Sequence, residues 1–161
     1  MAEPTPVEVL GVRIQLPSQT PIVLLRERDG TRHVPIWIGA VEATAIAYAM
    51  EGVVPARPLT HDLFAAVLGE LDTTLERVVV TDLVDHVFHA ELVLRHGDEV
   101  RVVSSRSSDA IALATRLAAP VFVSAEVLDE AGIELRDEDE EDEIEKFREF
   151  LEDLDPDDFS S

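Results

Sequence analysis

The sequence contains no cysteine among its 161 residues. Thiolate zinc sites, disulfide bonds and cysteine nucleophiles are therefore excluded, which removes several classes of enzyme. The chain also has no apolar run near the roughly 20 residues that a membrane-spanning helix needs. Its first residues, MAEPTPVEV, do not place a basic segment before an apolar one, as a secretory signal does. We expect a soluble, cytoplasmic protein that makes no contact with a membrane.

Basic residues are scarce, since 13 lysines and arginines stand against 34 acids and leave a net charge of −21. Residues 134–161 carry fifteen acids and three bases, a net charge of −12, and residues 1–133 carry nineteen acids and ten bases, a net charge of −9. An acidic field of this size repels the phosphates of nucleic acids. Binding of nucleic acid would therefore require a local basic patch or bridging divalent cations, whereas a basic protein partner would be attracted to the tail.

Common catalytic motifs are also missing, because the sequence has no HExxH, no P-loop and no GxSxG. It has instead two stretches, Pro35–Gly52 and Ser105–Ala114, in which a predicted strand ends, a turn follows and an alanine-rich helix begins. Glu42 and Asp109 lie at matching places in these stretches, which suggests an internal duplication of a βα unit. Two explanations fit an acid in the first turn of a helix. Glu42 and Asp109 either only stabilise the helix dipole, or belong to a functional site at the ends of the strands.

Four further residues are candidates for binding or catalysis. His61 and Asp62 begin a predicted helix, after a proline-bracketed connection that contains Arg57. They are either ordinary first-turn residues or an acid/base or metal position. Arg106 precedes the second alanine-rich helix, where a guanidinium beside free N–H groups would form a phosphate or carboxylate subsite.

The hydrophobic periodicity predicts an α+β fold, with a mixed, largely antiparallel sheet and the two alanine-rich helices packed on it. Pro35 cannot donate to a strand ladder, so its strand should lie at an edge of the sheet or be bulged. The two helices should bury small and medium apolar residues: Ala43, Ile46, Ala47, Ile111 and Ala114. The helix that begins near His61 should turn its apolar residues towards the core: Leu63, Phe64, Val67, Leu68 and Leu71.

The chain divides into a domain at 1–133 and an acidic tail at 134–161. Within the tail, Asp137–Glu143 is continuously acidic, and we expect it to be extended and hydrated. Apolar residues then recur at helical spacing over Ile144–Leu154. This spacing predicts an amphipathic helix that docks on the domain or on a second chain.

Four blocks of the sequence, in the right order, resemble the bifunctional nuclease (BFN) domain family: VPIWIGAVEATAIA, RPLTHDLF, SRSSDAIALA and VLDEAGI. The resemblance spans about Val7–Gly132, and the acidic extension resembles that of actinobacterial members. It implies a compact α+β domain around a mixed sheet, and a DNase and RNase activity that is attributed to at least some members. One departure is Ser107, where the family usually has proline.

The resemblance leads to a hypothesis about metal binding. Glu42, Asp62 and Asp109 coincide with family blocks and have suitable chemistry. They would bind one or two divalent cations, which activate water and neutralise the phosphate. Carboxylate oxygen ligands suit magnesium or manganese.

The same hypothesis assigns the catalytic and substrate-binding residues. His61 would act as general acid or base, with Asp62 and Arg106 as the other catalytic residues. Arg57 or Arg106 would bind a nonbridging phosphate oxygen of the nucleic-acid substrate.

A non-enzymatic module is the competing hypothesis, in which the acidic surface binds a protein partner. In that case Glu42 and Asp109 only stabilise helix starts, and His61-Asp62 belongs to a capped helix. The two hypotheses differ in geometry, because site residues should converge on one pocket and structural residues should be scattered. Under either hypothesis we expect a homo-oligomer, most simply a dimer.

Overall fold

The structure, a computed structural model, describes residues 3–135 and contains one eight-stranded sheet and four helices. The strands are β1 Thr5–Gln15, β2 Thr20–Glu27, β3 Arg32–Trp37, β4 Thr74–Val84, β5 Val87–His96, β6 Glu99–Arg106, β7 Val121–Val123 and β8 Ile133–Glu134. The helices are α1 Ala40–Glu51, α2 Thr60–Glu70, α3 Ser107–Leu117 and α4 Ala125–Ala131.

Two antiparallel meanders make up most of the sheet, whose strand order is β6-β5-β4-β7-β1-β2-β3-β8. The short β7 joins them, because it pairs in antiparallel fashion with β1 and in parallel fashion with β4. The predicted α+β fold with a mixed, largely antiparallel sheet is thus confirmed. Each meander runs into a helix, β3 into α1 and β6 into α3, so the two halves have the same order of elements.

The alanine-rich helices α1 and α3 pack against each other and contribute to the core. All five predicted core residues are buried, each with at most 6% of its surface exposed: Ala43, Ile46, Ala47, Ile111 and Ala114. Small side chains on both helices permit close packing at interior density. This packing brings the starts of two separate helices into one region of the molecule.

Pro35 lies where the sequence predicts an edge. It pairs with Leu24 of β2 on one side, and on the other side β8 pairs with Arg32 and His33 only, among the described residues. The missing N–H group of Pro35 therefore costs no ladder hydrogen bond.

The apolar face of α2 differs from its prediction. Leu68 is the one buried residue that the helix has within the described chain, whereas its other apolar residues are 41–60% exposed: Leu63, Phe64, Val67 and, just past its end, Leu71. Periodicity identifies residues that share a helix face, but it does not identify what covers that face. Here α2 packs mainly against α3, and most of its apolar stripe points away from that contact.

The predicted acidic segment Asp137–Glu143 and the predicted helix Ile144–Leu154 lie outside the described residues. Between residues 3 and 135, no helix is long and apolar enough to cross a membrane.

Candidate active site

Three helix starts bring four of the predicted residues together. Arg106 ends β6 and is the N-cap residue of α3, whose first turn contains Asp109. Glu42 lies in the first turn of α1, and His61 lies in the first turn of α2. Because α3 packs against both α1 and α2, side chains that are 48 and 64 positions apart in sequence come into direct contact.

Arg106 connects the two acids of this cluster. Its Nε atom donates to Oδ2 of Asp109 at 2.8 Å and its Nη2 atom donates to Oδ1 at 3.0 Å, a bidentate pair. Its Nη1 atom donates to Oε1 of Glu42 at 3.2 Å. The hydrogen bond and charge of Asp109, followed by those of Glu42, raise the pKa of Arg106, which stays protonated. The Arg106 side chain nevertheless remains 65% exposed, so it is accessible to a ligand.

His61 forms the other contact of Asp109, with 3.0 Å between Nε2 and Oδ1. Partial burial alone would raise the pKa of Asp109, but hydrogen bonds from Arg106 and His61 outweigh it, and the pKa of this carboxyl lies below its ordinary value. An ionised carboxylate only accepts hydrogen bonds, so Nε2 of His61 carries the shared proton. Nδ1 of His61 takes no part in this contact, which is the arrangement of an oriented acid/base histidine.

Gly39 explains how Glu42 reaches this position. It is the N-cap residue of α1, and a Cβ atom placed on it would overlap Oε2 of Glu42. The absence of a side chain lets the Glu42 carboxylate fold back over the start of its own helix, next to Arg106.

A cleft of about 390 Å³ opens beside the cluster, between the β3–α1 junction and the tip of the β4–β5 hairpin. Its walls combine charged, hydroxyl and aromatic groups: Trp37, Glu42, His86, Phe88, Arg106 and Ser107. The volume lies within the range of small-ligand sites, about 300–1,000 Å³. Arg106 and Glu42 belong both to the cleft and to the cluster with His61 and Asp109.

Asp62 and Arg57 are placed differently from these four residues. Oδ1 of Asp62 accepts from Nη2 of Arg116 at 2.7 Å, and its Oδ2 accepts from the backbone N–H of Leu59 at 3.0 Å. Both contacts stabilise the start of α2 and its packing on α3. Arg57 is exposed in the connection between α1 and α2.

The set of Glu42, Asp62 and Asp109 is therefore not brought together as a three-carboxylate metal site. In the range 3–135, no three histidine or acidic side chains are grouped so that they could hold one metal ion. Glu42 and Asp109, joined through Arg106, form a two-carboxylate set. The guanidinium of Arg106 donates to both oxygens of Asp109 and to Oε1 of Glu42, so a positive charge already lies between the two carboxylates.

Sequence reasoning missed the aromatic and histidine side of the cleft. Trp37 shares a strand with the buried Val34 and Ile36, and alternation places it on the opposite, exposed face. A large aromatic residue at an exposed strand position was a usable signal. Asp85 and His86 form the turn between β4 and β5, and both adopt positive φ, 50° and 66°. Nothing in the sequence indicated that His86, a turn residue, would line the cleft.

Comparison with known proteins gives two results. Residues 23–136 match the bifunctional nuclease domain. Uncharacterized proteins of Mycobacterium tuberculosis, from strains CDC 1551 and H37Rv, are each 43% identical to the chain over 163 residues. The alignment covers 96% of this chain and 98% of each relative, so the similarity extends beyond the matched domain.

Proposed function

Because the chain belongs to the bifunctional nuclease domain family, we propose that it hydrolyses phosphodiester bonds of DNA and RNA at the cluster of Glu42, His61, Arg106 and Asp109. One observation carries the proposal, namely the convergence of these side chains from α1, α2 and α3 on a single carboxylate and guanidinium. Residues with separate structural roles have no reason to form one cluster beside a cleft.

Arg106 is the phosphate-binding residue in this proposal. Its planar guanidinium is fixed by Asp109, remains charged and is largely exposed beside the start of α3. A bound phosphate would accept hydrogen bonds from the guanidinium, and the nearby backbone N–H groups of the helix favour the same negative charge. Arg57 is a second candidate for substrate binding, from the exposed connection before α2.

His61 is the general acid or base. Asp109 fixes the ring through Nε2, which leaves Nδ1 to take a proton from the attacking water or to return one to the leaving oxygen. The same carboxylate stabilises the ring when it becomes charged. Acid/base assistance of this kind contributes about 100- to 10,000-fold to rate.

A divalent cation completes the proposal, and magnesium or manganese would be held by Glu42 and Asp109. To admit the cation, Arg106 would give up one of its two hydrogen bonds with Asp109 and turn towards the substrate phosphate. Such a cation would neutralise phosphate charge and lower the pKa of a bound water. The chain needs this help, since its net charge of −21 leaves few cationic groups to balance several phosphates. Salt should then weaken substrate binding only slightly, at about −0.7 in log–log slope per phosphate neutralised on a single strand.

Cleavage of labelled single-stranded DNA and RNA tests the proposal. Arg106→Ala should lower kcat/KM by about 100-fold or more, as expected for loss of a charged group that stabilises the transition state. Arg101→Ala is the matched control, because Arg101 pairs with Glu99 at the other end of the same strand and is 71% exposed. Chelation should abolish cleavage and magnesium or manganese should restore it. Equal activity of the two arginine variants, or activity that survives chelation, would contradict the respective part of the proposal.

An interaction or regulatory module is the second candidate. The exposed apolar residues of α2 favour it, since a contiguous apolar face commonly marks a contact with another protein. Purified protein that binds a basic partner and cleaves no nucleic acid with any divalent cation would support this function instead. Light scattering on the same preparation gives the oligomeric state, for which a homodimer is our expectation.

A further inference from the structure

We propose that the cleft beside Arg106 binds one nucleotide of a single-stranded nucleic acid, with its base stacked on Trp37 and its phosphate on Arg106. This inference rests on the proposed function, because it shares Arg106 with the catalytic cluster. It goes further by naming the form of the substrate and a recognition residue that the catalytic cluster does not contain.

Trp37 has the properties of a stacking platform. It is 53% exposed at the end of β3, although tryptophan is usually largely buried. Its Nε1–H donates to Oε1 of Gln15 at 2.5 Å, so the orientation of the ring is fixed before any ligand arrives. Base–aromatic stacking tolerates every base, because every base has a π face. Stacking also makes no use of the 2′-hydroxyl that distinguishes RNA from DNA, so it suits a nuclease that acts on both.

Other residues that line the cleft supply the remaining contacts. His86 and Phe88, from the β4–β5 hairpin, line the cleft together with Trp37, so a planar group would be enclosed from more than one side. Arg106 supplies the positive charge, and Ser107 follows it as the first residue of α3 and also lines the cleft. Glu42 balances part of this charge, which suits one phosphate rather than a run of them.

The geometry favours a single strand over a duplex. Bases in a duplex are stacked on one another, so their faces cannot reach an aromatic ring unless a nucleotide is turned out of the helix at a cost of a few kcal/mol. A duplex also concentrates phosphates, which an acidic protein repels. A flexible strand can insert one base and direct its remaining phosphates away from the surface.

Trp37 is the sole tryptophan of the chain, so intrinsic fluorescence reports on this position alone. Wild-type protein is titrated at low salt, with magnesium and again with chelator, with three probes whose phosphorothioate linkages resist cleavage: hexathymidylate, a hexamer of abasic sugar phosphates, and a duplex long enough to stay paired at low salt. Mass spectrometry confirms that the probes stay intact. We expect saturable quenching by hexathymidylate and little by the other two. Absence of quenching by hexathymidylate in both conditions, or equal quenching by the abasic hexamer, overturns the inference.

Substitution gives an independent measure, by anisotropy of labelled hexathymidylate. Trp37→Ala should weaken binding by about 5- to 150-fold, the range for loss of one base stack. Trp37→Phe should retain most of the affinity. Phe64→Ala is the matched control, because Phe64 is 41% exposed on α2 and outside the cleft. Thermal unfolding checks that each variant folds, and if Trp37→Ala does not fold, the wild-type quenching and Trp37→Phe decide.

The two proposals fail in different ways. Quenching by hexathymidylate without cleavage under any divalent cation refutes the nuclease and supports the nucleotide subsite. Cleavage that Trp37→Ala leaves unchanged, together with no quenching, refutes the subsite and supports the nuclease.

Discussion

Asp109 accepts hydrogen bonds from both His61 and Arg106, so its charge organises two functional side chains at once. Replacing it with asparagine removes that charge and one acceptor oxygen but keeps the shape. We expect Asp109→Asn to lower cleavage by at least about 100-fold, because both the acid/base residue and the phosphate-binding residue lose their fixed orientation. The melting temperature should change by only a few degrees, as is usual for a partly exposed residue.

Asp98→Asn is the control for this change, since Asp98 is an exposed residue of the turn between β5 and β6. If Asp109→Asn cleaves at the rate of wild type, Asp109 has no part in catalysis.

The pKa of Asp109 also makes a prediction about stability. Burial raises this pKa, but the hydrogen bonds from Arg106 and His61 lower it further, to below its ordinary value of 3.8. When the pKa of a group is lower in the folded state than in the unfolded state, its ionised form stabilises the fold at any pH above the unfolded-state pKa. This stabilisation is lost as the pH falls through the folded-state pKa. The difference in free energy of unfolding between wild type and Asp109→Asn should therefore be constant near neutral pH. It should become smaller below about pH 3.8. Urea unfolding of both proteins from pH 6 to about pH 3 measures it. A difference that grows in acid would contradict the prediction.

Asp62 contacts Arg116 and the Leu59 backbone, and these contacts predict a structural role. Asp62→Ala should destabilise the fold by about 1–2 kcal/mol, because α2 loses the acceptor at its start. The partly buried Arg116 would also lose its ion pair. Cleavage per folded molecule should stay close to that of wild type. Loss of activity in a fully folded Asp62→Ala protein would instead support the catalytic or metal role that the sequence suggests.

At the scale of elements, the start of α1 positions Glu42, a metal ligand in the proposed function. Gly39→Ala is compatible with the backbone, whose φ there is −80°, but the new methyl group must displace the Glu42 carboxylate. The end of a glutamate side chain moves easily, so we expect a change in melting temperature of only a few degrees. The contact between Glu42 and Arg106 should be lost, and cleavage should fall by about 10-fold or more.

Gly69→Ala is the comparison, because a Cβ at Gly69 in α2 would have no neighbour within 4 Å. If both alanine variants have wild-type activity, the position of Glu42 is unimportant for cleavage.

At the scale of the whole molecule, the charge of residues 136–161 should govern the binding of nucleic acid. Because β8 pairs Ile133 and Glu134 with β3, a truncation is best placed after Leu135. It removes fourteen acids and three bases, a net charge of −11. The body should remain folded, and nucleic-acid binding should strengthen at low salt, since repulsion is screened at about 10 Å in 0.1 M salt. Circular dichroism and anisotropy at two salt concentrations test this. A truncated body that unfolds would show that the tail is part of the core.

Local patterns in the sequence were sufficient to predict the helices and strands and many of the core residues. Alternation identified the strands, the run of small apolar residues identified α1 and α3, and Pro35 identified an edge. These features depend on neighbours within a few residues, so a single sequence contains them. The blocks shared with the nuclease domain also indicated Glu42, His61, Arg106 and Asp109 as candidates.

Only the tertiary structure decided which candidates meet. The His61–Asp109 and Arg106–Glu42 contacts join positions 48 and 64 residues apart, and Asp62 turns instead to Arg116. The cleft around Trp37 and the uncovered apolar face of α2 were likewise revealed only by the tertiary structure. The physical reason is that such contacts depend on the order of strands in the sheet and on how helices pack across it. Local propensity and periodicity carry no information about either.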